Sequence, residues 1–169
     1  MKPVIRNETE CDRKPVFEVN VRAFPTTAEA NLVDALRDEG FVRVSLVAEI
    51  NGQIIGHIVF SELPIVTSEG TVTALSLAPM AVVPEHQRQG IGSELVRRGL
   101  ESCREQGHRI VIVLGEPHFY RRFGFSSDLA RTLESPFSGE AFMAIELVPE
   151  SLSGISGRVE YPLPFGVFE

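Results

Sequence analysis

Hydrophobic and polar positions change their spacing several times along the chain. Residues 4–6 have the composition of a short extended segment, and two stretches of helical spacing follow it. The first stretch begins after Thr9 and runs to about Arg22, and the second begins after Thr27 and ends at Gly40. Threonine is a common helix N-cap and glycine a common C-terminal stop. The pattern therefore predicts one strand followed by two helices.

Two β-rich runs, residues 44–50 and 53–60, are joined by Asn51-Gly52. This dipeptide between two such runs is the strongest short-range signal for a β-hairpin. We expect a loop over residues 61–70 and then a strand over residues 71–83. Because Pro79 lies within that strand and proline lacks an N–H group, the strand should be at a sheet edge or contain a bulge.

Residues 90–106 have the spacing of an amphipathic helix, which Gly107 ends in the usual C-terminal position. Residues 109–114 are apolar throughout, which is typical of a strand buried on both faces. Together with the strand before it, this helix predicts a βαβ unit with a right-handed crossover.

The remaining segments predict a short helix over residues 117–122 and strands over residues 142–148 and 157–162. The fold class is thus mixed α/β, with one sheet and helices on both of its faces. A length of 169 residues suits a single domain, residues 1–169, with a core of about residues 3–148 and a C-terminal strand and tail over residues 149–169.

The net charge of −7 argues against nucleic-acid or acidic-membrane partners, which bind through clusters of cations. No apolar run approaches the roughly 20 residues needed to cross a bilayer, and the polar start does not resemble a signal peptide, so a cytoplasmic protein is the expectation. The two cysteines, Cys11 and Cys103, lie far apart without metal-ligand spacing. We expect Cys103 to be a small core residue and the protein to hold no metal.

Gly90 and Gly92 stand at the start of the predicted helix, where each costs about 1 kcal/mol relative to alanine. Residues without Cβ would let a diphosphate approach the unpaired N–H groups of the first helical turn. The alternative is that the glycines only permit tight packing of the helix on a strand. A Walker loop is excluded because Ser93-Glu94 follows Gly92, and a dinucleotide fingerprint is weakened because Leu95 takes the third glycine position.

The arrangement Gln87-x-x-Gly90-x-Gly92, between an interrupted strand and a helix, resembles the signature of the GNAT superfamily of acetyl-CoA-dependent N-acetyltransferases. The resemblance extends over LAPMAVVPEHQRQGIGSELV (residues 77–96), the buried IVIVL strand and HFYRRFGF (residues 118–125). It is nearest to small, stand-alone bacterial members with an RFGF segment. It implies a mostly antiparallel sheet of about seven strands, splayed at a central β-bulge.

The resemblance also implies where acetyl-CoA binds, as a co-substrate and without a metal. The bulged segment would be residues 80–83, in which main-chain groups of Ala81 and Val82, next to Val83, align the pantetheine arm and polarise the thioester. Gln87 takes the side-chain position of the signature, with ordering of the loop as its alternative role. The diphosphate would be held by main-chain N–H groups of residues 88–93, namely Arg88, Gln89, Gly90, Ile91, Gly92 and Ser93.

Acyl transfer to an amine needs a proton for the departing thiolate and a base for the incoming amine. Tyr120 matches the tyrosine that relatives use as general acid, and a phenol with a pKa of about 10 is protonated at neutral pH. Its alternative role is packing under the cofactor. Some relatives place a glutamate where this chain has Ser76, so Glu116 and His118 are the candidate bases by position alone. A chain of water molecules is the alternative to either residue.

The sequence therefore favours direct transfer of acetyl from acetyl-CoA to a primary amine within a ternary complex. Two alternatives stay open: transfer of a different acyl group on the same fold, and an acyl-CoA-binding sensor without significant turnover. The acceptor amine is a small metabolite or a protein, and a net-acidic chain suits a cationic amine. A homodimer that pairs through exposed strands is also compatible with the sequence.

Overall fold

The computed structural model describes residues 2–137 and 139–168. Within them the chain forms four α-helices: α1 (Arg13–Ala23), α2 (Ala28–Asp38), α3 (Ile91–Glu105) and α4 (Pro117–Arg121). The strands of the same residues are β1 (Val4–Asn7), β2 (Val42–Ile50), β3 (Gln53–Thr67), β4 (Gly70–Val82), β5 (Ile110–Leu114), β6 (Leu133–Glu134), β7 (Phe142–Glu146) and β8 (Gly157–Val159).

The strands form one sheet in the order β1-β2-β3-β4-β5-β7, and β8 pairs with both β3 and β6. Neighbouring strands are antiparallel except for β4–β5 and β6–β8, which are parallel. The mixed, mostly antiparallel sheet is confirmed, as is the βαβ unit formed by β4, α3 and β5. The described sheet has eight strands rather than about seven, because two-residue β6 is too short to leave a periodic pattern in the sequence.

The β2–β3 hairpin is confirmed, and its turn has Asn51 at φ 50° and Gly52 at φ 78°. Two consecutive positive φ values are what a type I′ turn requires. The expected loop over residues 61–70 is wrong, since β3 continues to Thr67 and pairs with β4 from Gly70. Pro64 does not end the strand, because its carbonyl oxygen still accepts a hydrogen bond from the N–H of Glu160 at 2.9 Å.

Helices cover both faces of the sheet, as expected. Successive side chains of a strand point to opposite faces, and β2 and β3 are buried on both. On one face Val47 and Val59 pack with residues of α1 and α2, namely Val16 and Val33. On the other face Leu46, Ile58 and Phe60 belong to the cluster that contains Leu95 and Val96 of α3.

The bulge of β4 opens the sheet. Ile58 pairs with Met80 but Phe60 pairs with Leu77, so Ala78 and Pro79 together lie opposite one residue of β3. The bulge is therefore a little earlier than the expected segment 80–83, because proline cannot supply a ladder hydrogen bond. β4 and β5 pair only at residues 75–76 and 111–112, and within the described residues they do not pair beyond that point.

C-terminal residues join both the sheet and the core. β8 pairs with the end of β3, where Val159 lies opposite Ile65. Val159 and Leu152 are buried in one cluster with residues of β3, β5 and β7. Of the helices described here, none has the length and apolar character that crossing a bilayer would require.

A polar network around the fully buried His57 joins both N-terminal helices to the sheet, through Asn20 of α1 and through Arg37 of α2, which forms an ion pair with Glu8. The Ser45 hydroxyl donates to Glu8 at 2.7 Å, and Nε2 of His57 lies 2.9 Å from the Ser45 Oγ and 3.3 Å from the Glu8 carboxylate. Nδ1 of His57 lies 3.4 Å from the Asn20 amide nitrogen. A neutral imidazole with its proton on Nε2 satisfies all these contacts at once.

Acidification should destabilise the fold through this network. Burial lowers the pKa of His57 below its ordinary 6.5, against the opposing effect of the Glu8 carboxylate. Burial would raise the pKa of Glu8, but hydrogen bonds from His57 and Ser45 outweigh it and lower that pKa to about 2. The unfolded chain therefore binds more protons, first below pH 6.5 at His57 and then below pH 4.5 at Glu8, and stability falls as pH falls.

We expect the free energy of unfolding in urea to drop between pH 7.5 and 5.5, by at most about 1.4 kcal/mol per pH unit from His57. His57→Gln removes this titration. The variant should be less stable than the parent at pH 7.5, but its free energy of unfolding should fall by less on acidification. An equal loss in both proteins would contradict the role of His57.

Gly99 provides a second test of the core. A Cβ at this position would lie 2.4 Å from Cε1 of Phe60, whose ring is fully buried. Overpacking costs about 1–3 kcal/mol, whereas alanine gains about 1 kcal/mol of helix propensity over glycine. Gly99→Ala should therefore show a net loss of unfolding free energy, and Phe60→Leu in the same background should recover part of the loss. Glu101→Ala, on the exposed side of α3, is the control.

Candidate active site

Two adjacent depressions lie where β4 and β5 diverge, and Phe24 and Met80 line both. The first, the α3 groove, has about 470 Å³ and runs along the start of α3; it is lined by Ala23, Phe24, Met80, Ala81, Val82, His86, Gln87, Arg88, Gly90, Gly92, Ser93, Phe119 and Arg122. The second, the Tyr120 cavity, has about 390 Å³ and is lined by Phe24, Glu29, Leu32, Ser76, Leu77, Ala78, Pro79, Met80, Leu114, Tyr120, Phe137, Tyr161 and Phe165.

A larger depression of about 870 Å³ lies elsewhere, on the surface of α1 and α2. Its lining includes Arg13 and Asp38, which form an exposed ion pair. It contains none of the residues that the sequence singled out for chemistry. The candidate site is therefore the pair of depressions at the splayed strands.

The two glycines at the start of α3, Gly90 and Gly92, are needed for different structural reasons. Gly90 is the N-cap and adopts φ 85°, a left-handed conformation that favours glycine and that the sequence did not reveal. A Cβ on Gly92 would lie 3.3 Å from Cε of Met80, so Gly92 allows close packing on β4. Both line the groove, into which the first-turn N–H groups of the helix can donate, since these have no partner within the helix.

The main chain of β4 alternates between its two sides. The N–H of Val83 donates to the Ile55 carbonyl at 2.9 Å, so these two residues form a hydrogen-bonded pair of the β3–β4 ladder. In an antiparallel ladder every second pair is of this kind, so Ala81 and His57, two positions along, form another. The main-chain groups of Ala81 are therefore directed to β3, and only those of Val82 face the groove. This corrects the expectation that both residues would offer main-chain groups to a ligand.

Gln87 holds the loop before α3 against the same strand. Its Nε2 donates to the Val82 carbonyl at 2.9 Å, which is the loop-ordering role considered as its alternative. Arg88 lines the groove at φ 62°. The side chain of Ile91 is buried in the core, and Nε2 of Gln89 donates to the Glu85 carbonyl at 3.3 Å.

Arg122 belongs to the groove but was not identified from the sequence. Its guanidinium donates to the Ser93 hydroxyl at the start of α3. It also lies over the rings of Phe119 and Phe123, 5.2 Å from each centroid. The contact with Ser93 joins residues 29 positions apart, so only a consecutive Arg-Arg-Phe run could have indicated it.

Tyr120 projects from α4 into the second cavity. Its ring packs edge-on against Phe119 and Phe125, with centroids 4.9 and 5.7 Å away. A Cβ on Gly115 would lie 2.5 Å from the ring, so the missing side chain there makes room for it. Burial raises the pKa of Tyr120 to about 12, so the phenol carries its proton at neutral pH.

The structure does not bring Glu116 and His118 into this cavity. The Glu116 carboxylate accepts a hydrogen bond from the His118 N–H at 3.1 Å and caps α4. Both side chains are exposed, and neither lines the cavity of Tyr120. Ser76, at the position where some relatives have a glutamate, does line the Tyr120 cavity.

Glu29, in the first turn of α2, also lines the Tyr120 cavity and was missed from the sequence. No local motif distinguishes it from other acidic residues at helix starts. Over the part of the chain that the structure describes, no group of three His, Cys, Asp or Glu side chains is arranged to hold a metal ion.

Comparison with known proteins gives a consistent result. A family model described as an acetyltransferase (GNAT) domain matches residues 4–127. The uncharacterized N-acetyltransferase YhbS of Escherichia coli (strain K12) is 36% identical over 168 residues, which are 98% of this chain and 99% of that protein.

Solved structures of similar sequence have the same fold. The crystal structure of E. coli YhbS in complex with CoA has a TM-score of 0.93 at 34% identity, covering 100% of this chain and 94% of that one. The GNAT family acetyltransferase of Brucella melitensis, in complex with acetyl-CoA, has a TM-score of 0.80 at 32% identity, covering 96% and 97%.

Proposed function

The chain belongs to the GNAT acetyltransferase family, and we propose that it transfers an acetyl group from acetyl-CoA to a primary amine by direct attack within a ternary complex. The observation that carries the proposal is the continuous lining from the start of α3, past Val82, to the cavity of Tyr120. We propose further that residues 1–169 act as one catalytic domain, since Tyr161 and Phe165 wall the same cavity.

The residues of the α3 groove suit acetyl-CoA. First-turn N–H groups of a helix carry partial positive charge and bind phosphate, and the Arg122 guanidinium lies beside them at Ser93. These groups, with Arg88, would hold the diphosphate, and the carbonyl oxygen of Val82 would accept a hydrogen bond from the pantetheine arm beside the one from Gln87. The complexes of the E. coli and Brucella relatives with CoA and acetyl-CoA support this assignment.

Acetyl-CoA supplies an activated acyl group, so the chain's own residues have three tasks. The groove and the Tyr120 cavity hold the two reactants next to each other, which can lower the barrier by several kcal/mol. The Val82 N–H donates a hydrogen bond to the carbonyl oxygen as negative charge develops there, a contribution of about 3 kcal/mol in acyl transfer. Tyr120 donates its proton to the sulfur that leaves.

Tyr120→Phe tests the acid. Removing the phenol should lower kcat by about 100-fold, the lower range of general-acid effects, with little change in the KM of acetyl-CoA. CoA release with a panel of primary amines measures this. Tyr161→Phe, which removes the other phenol of the cavity, is the matched control and should have a much smaller effect. Unchanged kcat in Tyr120→Phe would contradict the role, and CoA binding without amine-dependent release would contradict the proposed function.

Arg122→Gln tests the groove. Loss of one charged hydrogen-bond donor at a phosphate should weaken acetyl-CoA binding by about 10- to 100-fold, seen as a higher KM and a higher Kd for CoA in calorimetry. The neighbouring Arg121→Gln is the control, since Arg121 is exposed and does not line the groove. Equal affinities of the two variants for CoA would show that Arg122 does not contribute to binding it.

A further inference from the structure

The Tyr120 cavity has an uneven distribution of polar groups. Of the described residues that line it, Glu29 is the only charged one, and no Lys, Arg or His side chain lies in its wall. Most of the remaining lining is aliphatic or aromatic. A volume of about 390 Å³ is that of a small-molecule site.

The Glu29 carboxylate has a buried oxygen that nothing in the described structure satisfies. Its Oε1 atom is excluded from solvent and has no hydrogen-bond partner among the described residues. Burying a polar atom without a partner is unfavourable, and more so when the group is charged. A ligand that brings a positively charged N–H donor into the cavity would remove this penalty.

Another part of the cavity lining is aromatic and comes from the C-terminal part of the chain. The Tyr161 ring packs edge-on against Phe137 and Phe165, with centroids 5.4 and 5.2 Å away. Phe24 and the Tyr120 ring complete the aromatic lining. Such a wall suits an apolar or aromatic body and offers no charged partner to a second cationic group.

We propose that Glu29 is the residue that binds the ammonium group of the acceptor and takes its proton, and that the acceptor is a small primary amine with an apolar body. This inference rests on the proposed acetyl transfer, since it names the second substrate of the same site. Glu29 is thus a catalytic residue, because its carboxylate touches the reacting nitrogen.

Protons are conserved over the whole transfer. The bound ammonium gives one proton to Glu29, and the neutral amine then forms the C–N bond while the C–S bond breaks. The sulfur receives the proton of Tyr120, and the second proton lost by the nitrogen restores that phenol. The proton held by Glu29 passes to solvent, so each turnover yields an amide, a free thiol and one released proton.

Glu29→Gln preserves size and removes the charge. In the parent, 2-phenylethylamine should bind the CoA complex in calorimetry, and the variant should bind it about 10- to 100-fold more weakly, because a charged hydrogen bond is lost. Its kcat with 2-phenylethylamine should fall by about 100-fold or more, because the proton acceptor is gone. The KM of acetyl-CoA should stay at the parent value. Glu29→Asp should recover part of both losses.

Glu39→Gln, at the other end of α2 and exposed, is the matched control. In the parent, 2-phenylethanol, a neutral molecule of the same shape, should bind much more weakly than the amine, and this measurement does not depend on any variant. Equal binding of the alcohol and the amine would overturn the ammonium contact. Weaker amine binding with unchanged kcat in Glu29→Gln would overturn the proton transfer.

The substrate class is tested by comparing kcat/KM for 2-phenylethylamine, spermidine and a lysine-containing peptide. The first should be preferred, and preference for spermidine or the peptide would overturn the apolar-body assignment. CoA binding with no turnover of any amine would instead contradict the proposed function. Turnover that is insensitive to Glu29→Gln would leave that function standing and overturn the role of Glu29.

Discussion

Where a strand separates from the next strand of its sheet, the main-chain N–H and C=O groups on that side are free to bind another partner. β4 is in this position after its two parallel pairs with β5, because the bulge at Ala78-Pro79 shifts its register against β3. The groove and the cavity both lie along this stretch. The hydrogen-bonding direction of Val82, the packing of Met80 on Gly92 and the opening beside Tyr120 all follow from it.

The rigid part of the molecule holds this opening in place. β2 and β3 are buried on both faces, and α3 packs so closely on Phe60 that a Cβ at residue 99 would overlap its ring. The His57 network holds the opposite face, where α1 and α2 lie. Because β4 pairs along most of its length with β3, this support reaches the strand that forms the site.

The two depressions differ in charge as their proposed ligands do. The groove combines the N-terminus of α3 with Arg88 and Arg122, which suits a polyanion. Among the described residues that line the cavity, Glu29 carries the one charge, a carboxylate that suits one cation. Phe24 and Met80 line both and lie between the two electrostatic environments.

The sequence by itself determined the elements whose signals are local: the Asn51-Gly52 hairpin, the βαβ unit, the glycines at the start of α3, and the segment that carries Tyr120. It also indicated the family, through the Gln87-x-x-Gly90-x-Gly92 arrangement and the segments on either side of it. The sequence did not reveal how distant residues come together, such as the contact of Arg122 with Ser93 and the place of Glu29 in the cavity that Tyr120 also lines. The continuation of β3 past Pro64 and the two-residue β6 depend on partners far along the chain in the same way. Short-range spacing records how a segment folds locally, whereas a site is assembled by packing, which brings together residues that no local pattern links.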